Sequence, residues 1–194
     1  MATTHDQLPD NLPVPVDDGA SDHLSGAVLP SLLLNATRGA RVDLAAVSQG
    51  RWILFVYPMT GVPGEDLPEG WDEIPGARGC TSEACGFRDN IDALRNAGVN
   101  AIYGMSTQDT AYQSELVDRL HLPYAMLSDT NLMLRDAMAF PAFEVNGMAL
   151  YKRMTLVLNG STIEHVFYPV FPPNEHATRI VEWLEKNPAN GSAV

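Results

Sequence analysis

The spacing of apolar and polar residues predicts strands that alternate with helices. Residues 51–57 form an apolar run that ends at Pro58, as expected for a central strand buried on both faces. Asn159-Gly160-Ser161 separates two later apolar segments and predicts a hairpin turn. The predicted strands are 32–34, 42–44, 51–57, 99–105, 124–127, 154–158 and 162–168, and the predicted helices are 81–96, 110–120, 130–139 and 174–186.

This order of elements predicts an α/β fold with a central mixed β-sheet flanked by helices. The chain of 194 residues is long enough for one domain with a substantial core, which we place at residues 27–187. Residues 1–26 are polar, acidic and proline-bearing, so we expect an extension that is either draped on the domain or disordered. Residues 188–194 are expected to be a fraying tail.

One long loop, residues 59–77, stands between the central strand and the next helix. It contains four glycines, three prolines and five acidic residues, which excludes a regular element. Long ordered loops usually carry function, so we expect this loop to contribute to a site.

The net charge of the chain limits the classes of molecule that it can bind. The formal net charge of −12 repels nucleic acid and anionic membranes, and no apolar run is long enough to span a bilayer. The N-terminus has acids and prolines instead of the features of a secretory signal, which favours a cytoplasmic protein. The five histidines lack the spacing of metal ligands, and we predict neither a metal nor another cofactor.

The chain has only two cysteines, Cys80 and Cys85, at the start of a predicted amphipathic helix. The N-terminus of a helix favours a thiolate, which is the nucleophilic form. The second thiol, five residues on, can reach the first only if the first turns unwind. This arrangement suits an attacking cysteine with a resolving partner, and the alternative is a pair of unrelated packed thiols.

The segment from Gly79 to Asp89, GCTSEACGFRD, closely resembles the active-site helix of the Q-type peroxiredoxins, also called bacterioferritin comigratory proteins. Four further segments resemble the same family in the same order, from about residue 28 to residue 184. They are Leu54–Pro58, Gly98–Ser106, Leu127-Ser128-Asp129 and the hairpin from Lys152 to Phe167.

The resemblance implies a thioredoxin-like fold and a peroxide-reducing site. Cys80 would be the peroxidatic nucleophile, and Cys85 would resolve its sulfenic acid to a Cys80–Cys85 disulfide. Arg153, just before a strand that faces the active-site helix, would activate Cys80, although Lys152 competes for that position. Glu83 would orient the arginine, with a solvated carboxylate as its alternative, and Thr81 would be an N-cap or first-turn residue.

The chain departs from the family's Pro-x-x-x-Thr-x-x-Cys pattern. The threonine position is Ala77 and the proline position is Glu73. The strand end carries Thr60 instead, and residues 61–75 look like an insertion between it and Cys80. We expect either that the loop folds back so that Thr60 supplies the hydroxyl, or that the site works without one. Pro75 is the candidate replacement for the shielding proline.

Three functions fit these residues. The first is a thiol peroxidase that reduces hydrogen peroxide or organic hydroperoxides and is recycled by thioredoxin or a similar dithiol donor. The second is a redox-sensing module in which the two cysteines form a regulatory disulfide, and the third is a thiol-dependent enzyme with a different substrate. In each case the protein is expected to be a monomer or homodimer.

Overall fold

The structure, a computed structural model, describes residues 8–189 of the chain. The beginning of the predicted extension, residues 1–7, and the end of the predicted tail, residues 190–194, lie outside the described residues. The strands are β1 (Leu33–Ala36), β2 (Arg41–Asp43), β3 (Arg51–Val56), β4 (Ala101–Ser106), β5 (Ala125–Ser128), β6 (Ala142–Val145), β7 (Met148–Tyr151), β8 (Met154–Asn159) and β9 (Thr162–Phe167). The α-helices are α1 (Cys80–Asp89), α2 (Ile91–Asn96), α3 (Thr110–Leu120), α4 (Met133–Met138) and α5 (His176–Lys186).

Seven strands form one mixed sheet in the order β2-β1-β5-β4-β3-β8-β9. The pairs β3–β4 and β4–β5 are parallel, and the other pairs in the sheet are antiparallel. The central strand β3 is buried at every position, because both faces of the sheet are covered. This confirms the mixed sheet with flanking helices that the sequence predicts.

The alternation of side chains along β3 divides the core into two layers. Ile53 and Phe55 pack into one layer with residues of α1, α3 and α5, and the Phe55 ring stacks on Phe87 of α1 with 4.3 Å between centroids. Trp52 and Leu54 pack into the opposite layer with α4 and with the segment before β1. The first layer therefore seats α1 directly against the central strand.

The predicted helix 81–96 is wrong in one respect, because the structure divides it at Asn90 into α1 and α2. The side-chain amide of Asn90 donates to the carbonyl oxygen of Gly86 at 2.9 Å and satisfies an acceptor at the end of α1. Asparagine side chains compete for backbone groups in this way and so interrupt helices.

The predicted helix 130–139 begins later than expected, at Met133. The N-cap residue is Leu132, and the carboxylate of the more distant Asp129 accepts from the first two N–H groups of α4, those of Met133 and Leu134, at 2.8 and 3.0 Å.

The sequence prediction also missed a hairpin, formed by β6 and β7 as a separate two-stranded sheet. Asn146 and Gly147 join the two strands and both have positive φ, at 49° and 75°. An Asn-Gly pair between short apolar segments is a strong hairpin signal, so the information was present in the sequence.

The described part of the N-terminal segment lies against the domain. Leu24 is fully buried in a short 3₁₀ turn, and Asp18 binds Lys152 and Tyr168 through its carboxylate at 2.5 and 2.7 Å. No helix within residues 8–189 has the length and apolar character that crossing a bilayer requires.

Gly79 is the glycine on which the position of α1 depends. Its φ is +101°, and a Cβ atom there would lie 2.4 Å from the Cγ of Pro173. We expect Gly79→Ala to lower the free energy of unfolding by about 2 kcal/mol or more, because strain and overlap add.

Gly98→Ala is the matched control, since Gly98 has φ +92° with nothing within 4 Å of the added carbon. It is expected to cost about 1 kcal/mol from backbone strain alone. Urea denaturation measures both variants, and equal losses would contradict the role given to the contact with Pro173.

Candidate active site

Cys80 is the first residue of α1, directly after the N-cap residue Gly79. Its position at the start of a helix agrees with the sequence prediction. The residue is only 3% exposed and packs in the same layer as Phe55 and Phe87. The positive end of the helix dipole favours an anion at this place.

Arg153 supplies a cation to this thiol. It lies in the two-residue connection between β7 and β8, and its Nη2 is 3.0 Å from the Sγ of Cys80. The neighbouring Lys152 is engaged elsewhere, since its ammonium group binds the Asp18 carboxylate. Of the two basic residues that the sequence offers, Arg153 therefore contacts the thiol.

Three consecutive carbonyl groups hold the guanidinium of Arg153 in place. Its Nε donates to the carbonyl oxygen of Gly76 at 3.2 Å, and its Nη2 donates to those of Ala77 and Arg78 at 3.1 and 3.2 Å. These carbonyls belong to the end of the long loop before α1. The loop thus takes part in the site through its backbone, whatever its side chains do.

Glu83 completes a buried triad with Arg153 and Cys80. The Nη1 of Arg153 donates to the Oε2 of Glu83, and both side chains are almost entirely buried. The other oxygen of this carboxyl group, Oε1, has no hydrogen-bond partner among the described residues. Burial raises the pKa of Glu83 to about 7, although the positive charge of Arg153 opposes the rise. Glu83 is therefore not the solvated carboxylate that the sequence left open.

The pKa of Cys80 is set by the same neighbours. Burial raises the pKa of the thiol, Arg153 lowers it, the charge of Glu83 raises it, and the backbone N–H of Met59 lowers it. One cation thus faces two acidic groups in a site whose side chains are almost entirely buried. Because two anions beside one buried cation are costly, we expect Cys80 and Glu83 not to be ionised together near neutral pH.

Thr60 is buried near this site, but its polar groups form hydrogen bonds with Gln108. Its hydroxyl and its backbone N–H lie 3.1 and 3.0 Å from the Oε1 of Gln108, and its carbonyl accepts from the Nε2 of Gln108 and the hydroxyl of Tyr112. The neighbouring Met59 is the residue whose N–H reaches Cys80. A direct role of the Thr60 hydroxyl at the peroxide stays a prediction, and positioning of Met59 is the alternative.

Cys85 lies on the second turn of α1, is half-buried and packs against the layer that contains Cys80. Both cysteines are thiols in this structure. In a regular helix the Cα atoms of residues i and i+5 are about 8.7 Å apart. A disulfide allows at most about 7 Å, so α1 must unwind locally before these two residues can be joined.

The remaining candidate residues, Thr81 and Pro75, differ in their exposure. Thr81 is buried in the first turn of α1, while the N-cap is Gly79, so the first-turn alternative for Thr81 is the one observed. Pro75 is exposed and lines a pocket next to Arg153. In the part of the chain that the structure describes, no group of three or more histidine, cysteine, aspartate or glutamate side chains could hold a metal.

Sequence reasoning missed several groups that build the site. They are the N–H of Met59, the carbonyls of residues 76–78 and the side chain of Gln108. Backbone groups carry no signature in the residue type, so no signal pointed to them. Gln108 follows a predicted strand, and that position was the only available hint.

The comparisons with known proteins agree on one family. The family model described as Redoxin matches residues 24–181. The chain is 29% identical over 161 residues to chloroplastic peroxiredoxin Q of Arabidopsis thaliana. This match covers 82% of this chain and 66% of that protein. It is also 27% identical over 172 residues to peroxiredoxin Bcp of Escherichia coli K12. That match covers 84% of this chain and 96% of the relative. The chain thus spans just under two thirds of the length of the plant relative.

Solved structures share the fold at lower identity. Peroxidoxin BcpB of Mycobacterium tuberculosis superposes with a TM-score of 0.67 at 23% identity, over 84% of this chain and 97% of that one. Peroxiredoxin Q of Xanthomonas campestris gives 0.64 at 17% identity, over 91% and 98%. The fold is therefore thioredoxin-like, of the peroxiredoxin type, as the resemblance implied.

The charge balance of the triad predicts how the thiol responds to substitution. Glu83→Gln removes a negative charge but keeps an acceptor for Arg153, so we expect the pKa of Cys80 to fall. Arg153→Met removes the cation and should raise the pKa of Cys80. The pH dependence of Cys80 alkylation by iodoacetamide, in protein with Cys85 replaced by serine, measures both effects.

At pH 7 we expect Cys80 to be alkylated at least about threefold faster in Glu83→Gln than in the parent protein, because a larger fraction of Cys80 is thiolate. Glu83→Asp is the matched control that keeps the charge. A pKa of Cys80 that rises or stays constant in Glu83→Gln would contradict the charge argument.

Proposed function

The chain belongs to the Redoxin family, and on this basis we propose that it is a thiol peroxidase that reduces hydrogen peroxide or organic hydroperoxides. The observation that carries the proposal is the contact between the guanidinium of Arg153 and the Sγ of Cys80 at the N-terminus of α1. A buried cation and a helix N-terminus both stabilise the thiolate and the negative charge that develops on the leaving oxygen.

The first step is a nucleophilic displacement at oxygen. The thiolate of Cys80 attacks one peroxide oxygen, an S–O bond forms, and the O–O bond breaks with its electron pair on the other oxygen. That oxygen leaves as hydroxide or alkoxide and takes a proton to give water or an alcohol. Cys80 is left as a sulfenic acid and has been oxidised by two electrons.

The second step resolves the sulfenic acid. The thiol of Cys85 attacks the sulfur of Cys80, water leaves, and a Cys80–Cys85 disulfide forms. The helical spacing of the two residues requires local unwinding of α1 between the two steps. Thioredoxin or a similar dithiol donor then returns the two electrons by thiol–disulfide exchange.

The cellular compartment of the proposed enzyme follows from its chemistry. A reducing compartment is needed to recycle the disulfide, so we place the protein in the cytoplasm. We propose a monomer or homodimer, with no nucleic acid or membrane among its partners.

One observation favours the redox-sensing alternative. Burial raises the pKa of Cys80, which reduces the thiolate fraction and slows oxidation. Stopped-flow oxidation of the reduced protein separates the two functions. Rapid oxidation by hydrogen peroxide followed by repeated turnover with thioredoxin supports the peroxidase, whereas slow and stoichiometric oxidation supports the sensor.

Substitution of the cysteines tests the two steps separately. Cys80→Ser should lower peroxide consumption to the background rate, because a serine hydroxyl is not ionised at neutral pH and does not accept the oxygen as sulfur does. Cys85→Ser should keep the first oxidation and lose turnover with a dithiol donor. Both rates come from coupled peroxide assays and thiol counting by mass spectrometry. Normal recycling by Cys85→Ser would show that Cys85 is structural or that the donor reduces the sulfenic acid directly.

Thr60→Val tests whether the Thr60 hydroxyl acts in the reaction. If it binds the peroxide in the transition state, its loss should slow Cys80 oxidation on the order of 10²-fold. The matched control is Ser114→Ala, which removes a hydroxyl that donates to the carbonyl of Thr110 within α3. Oxidation of Thr60→Val within twofold of the parent rate would end the hypothesis of a hydroxyl at the peroxide.

A further inference from the structure

The connection between α3 and β5 binds the part of α1 that lies between the two cysteines. The hydroxyl of Tyr124, just before β5, donates to the carbonyl oxygen of Ala84 at 2.6 Å, and both residues are buried. Ala84 comes four residues after Cys80 and directly before Cys85. Because unwinding of this turn displaces Ala84, it breaks the contact with Tyr124.

A second contact ties the same helix to the end of α3. The Nη1 of Arg88 donates to the carbonyl oxygen of Leu120, the last residue of α3, at 2.9 Å. Its Nε donates to the carboxylate of Asp89 at 2.8 Å. The last carbonyls of a helix lack intrahelical partners and carry partial negative charge, so a guanidinium group is a favourable partner for them.

The two contacts act on one turn of α1. Ala84 and Arg88 are four residues apart, so the carbonyl of Ala84 pairs with the N–H of Arg88 in a regular helix. Tyr124 binds the first of these residues, and Arg88 itself binds the end of α3. Both ends of the turn are therefore fixed to the neighbouring elements of the domain.

Tyr124 is itself anchored on the central strand. Its ring meets the ring of Phe55 in β3 edge to face, with centroids 5.7 Å apart. Burial raises the pKa of Tyr124 well above its usual range, so its hydroxyl keeps its proton and stays a donor at neutral pH. The hydrogen bond to Ala84 therefore connects α1 to a rigid part of the core.

The sulfenic acid of Cys80 has two competing fates, and the state of α1 decides between them. Unwinding of α1 lets Cys85 form the disulfide. While α1 stays wound, the sulfur can attack a second peroxide: another S–O bond forms, and the O–O bond breaks with its electron pair on the leaving oxygen. That oxygen takes a proton to give water or an alcohol, and the sulfur loses two more electrons to become a sulfinic acid.

We propose that Tyr124 and Arg88 are positioning residues that hold α1 wound between the cysteines and so slow the resolution step. This inference rests on the proposed peroxidase function and assigns two residues to its second step. Loss of either contact increases the population of unwound α1. Disulfide formation then becomes faster, and less sulfinic acid forms at a given peroxide concentration.

The main test is Tyr124→Phe, which removes the hydroxyl and keeps the ring against Phe55. Arg88→Met is the second variant, since it removes the donor to Leu120 and keeps much of the bulk. Each reduced protein is mixed with hydrogen peroxide and quenched at successive times. Mass spectrometry then counts the thiol, sulfenic acid, disulfide and sulfinic acid forms.

Two controls separate this role from general destabilisation. Tyr103→Phe removes a hydroxyl from β4, where the ring packs against Trp52 in the opposite layer of the core. Ile163→Val shortens a buried side chain in that same layer and lowers global stability away from α1. Urea denaturation measures the loss of stability in every variant and shows that each is folded.

We expect the disulfide to form about fivefold faster in Tyr124→Phe, since loss of one buried hydrogen bond shifts an equilibrium by about this factor. Arg88→Met should change the rate in the same direction. In both variants the fraction of sulfinic acid in excess peroxide should fall, and the first oxidation of Cys80 should match the parent rate. Both controls should leave the partition between disulfide and sulfinic acid unchanged.

Two outcomes would overturn the inference and leave the peroxidase function intact. They are an unchanged rate of disulfide formation in the folded variants Tyr124→Phe and Arg88→Met, and an equal acceleration in Ile163→Val. Failure of peroxide to oxidise Cys80 in the parent protein would instead contradict the proposed function. Oxidation without a Cys80–Cys85 disulfide would contradict the proposed resolution step, and the inference would fall with it.

Discussion

The buried guanidinium of Arg153 is the interaction on which the site depends. It faces two acidic groups, the thiol of Cys80 and the carboxyl of Glu83, and all three side chains are almost entirely buried. A buried cation without partners would be very costly, so the protein surrounds it with acceptors. The same requirement makes ionisation of both Cys80 and Glu83 costly, since it would leave an excess negative charge in the core.

The long loop before α1 and the hairpin β6–β7 support this cation together. Trp71 in the loop is buried and packs against Phe143 of β6, with ring centroids 6.3 Å apart, in a small cluster that also contains Leu150 of β7. The loop ends in the carbonyls that hold Arg153, and Arg153 itself follows β7 by two residues. The long loop and the hairpin therefore fix the two ends of one contact, and displacement of either moves the guanidinium relative to Cys80.

Most of the fold could be predicted from the sequence, because the strongest patterns of apolar residues reflect burial. The run at β3 is apolar since both faces of the sheet are covered, and the spacing in α3 predicted its bounds at residues 110 and 120. The hairpin turn at Asn146 had a clear signal that went unused. The division at Asn90 depends on one side-chain hydrogen bond, which periodicity does not report.

The site was less predictable than the fold. Cys80 and Cys85 were evident from their position at a helix start, and Arg153 from the family resemblance, but the choice between Arg153 and Lys152 needed the geometry of the connection. The carbonyl groups that hold the cation and the N–H of Met59 are backbone atoms, which every residue carries. Only the path of the chain through the long loop brings them to Cys80.

The most direct test of this account is the titration of Glu83 by carbon-13 NMR of its carboxyl group, assigned by comparison with Glu83→Gln. The spectra are recorded on the reduced protein and on Cys80→Ser, which removes the second acid. We expect Glu83 to titrate near neutral pH in the reduced protein, since burial raises its pKa to about 7. In Cys80→Ser the pKa of Glu83 should stay close to this value, because the pKa of the Cys80 thiol is raised and the thiol is uncharged where Glu83 titrates. A carboxyl group that titrates at its ordinary pKa in both proteins would contradict the buried position of Glu83 beside Arg153.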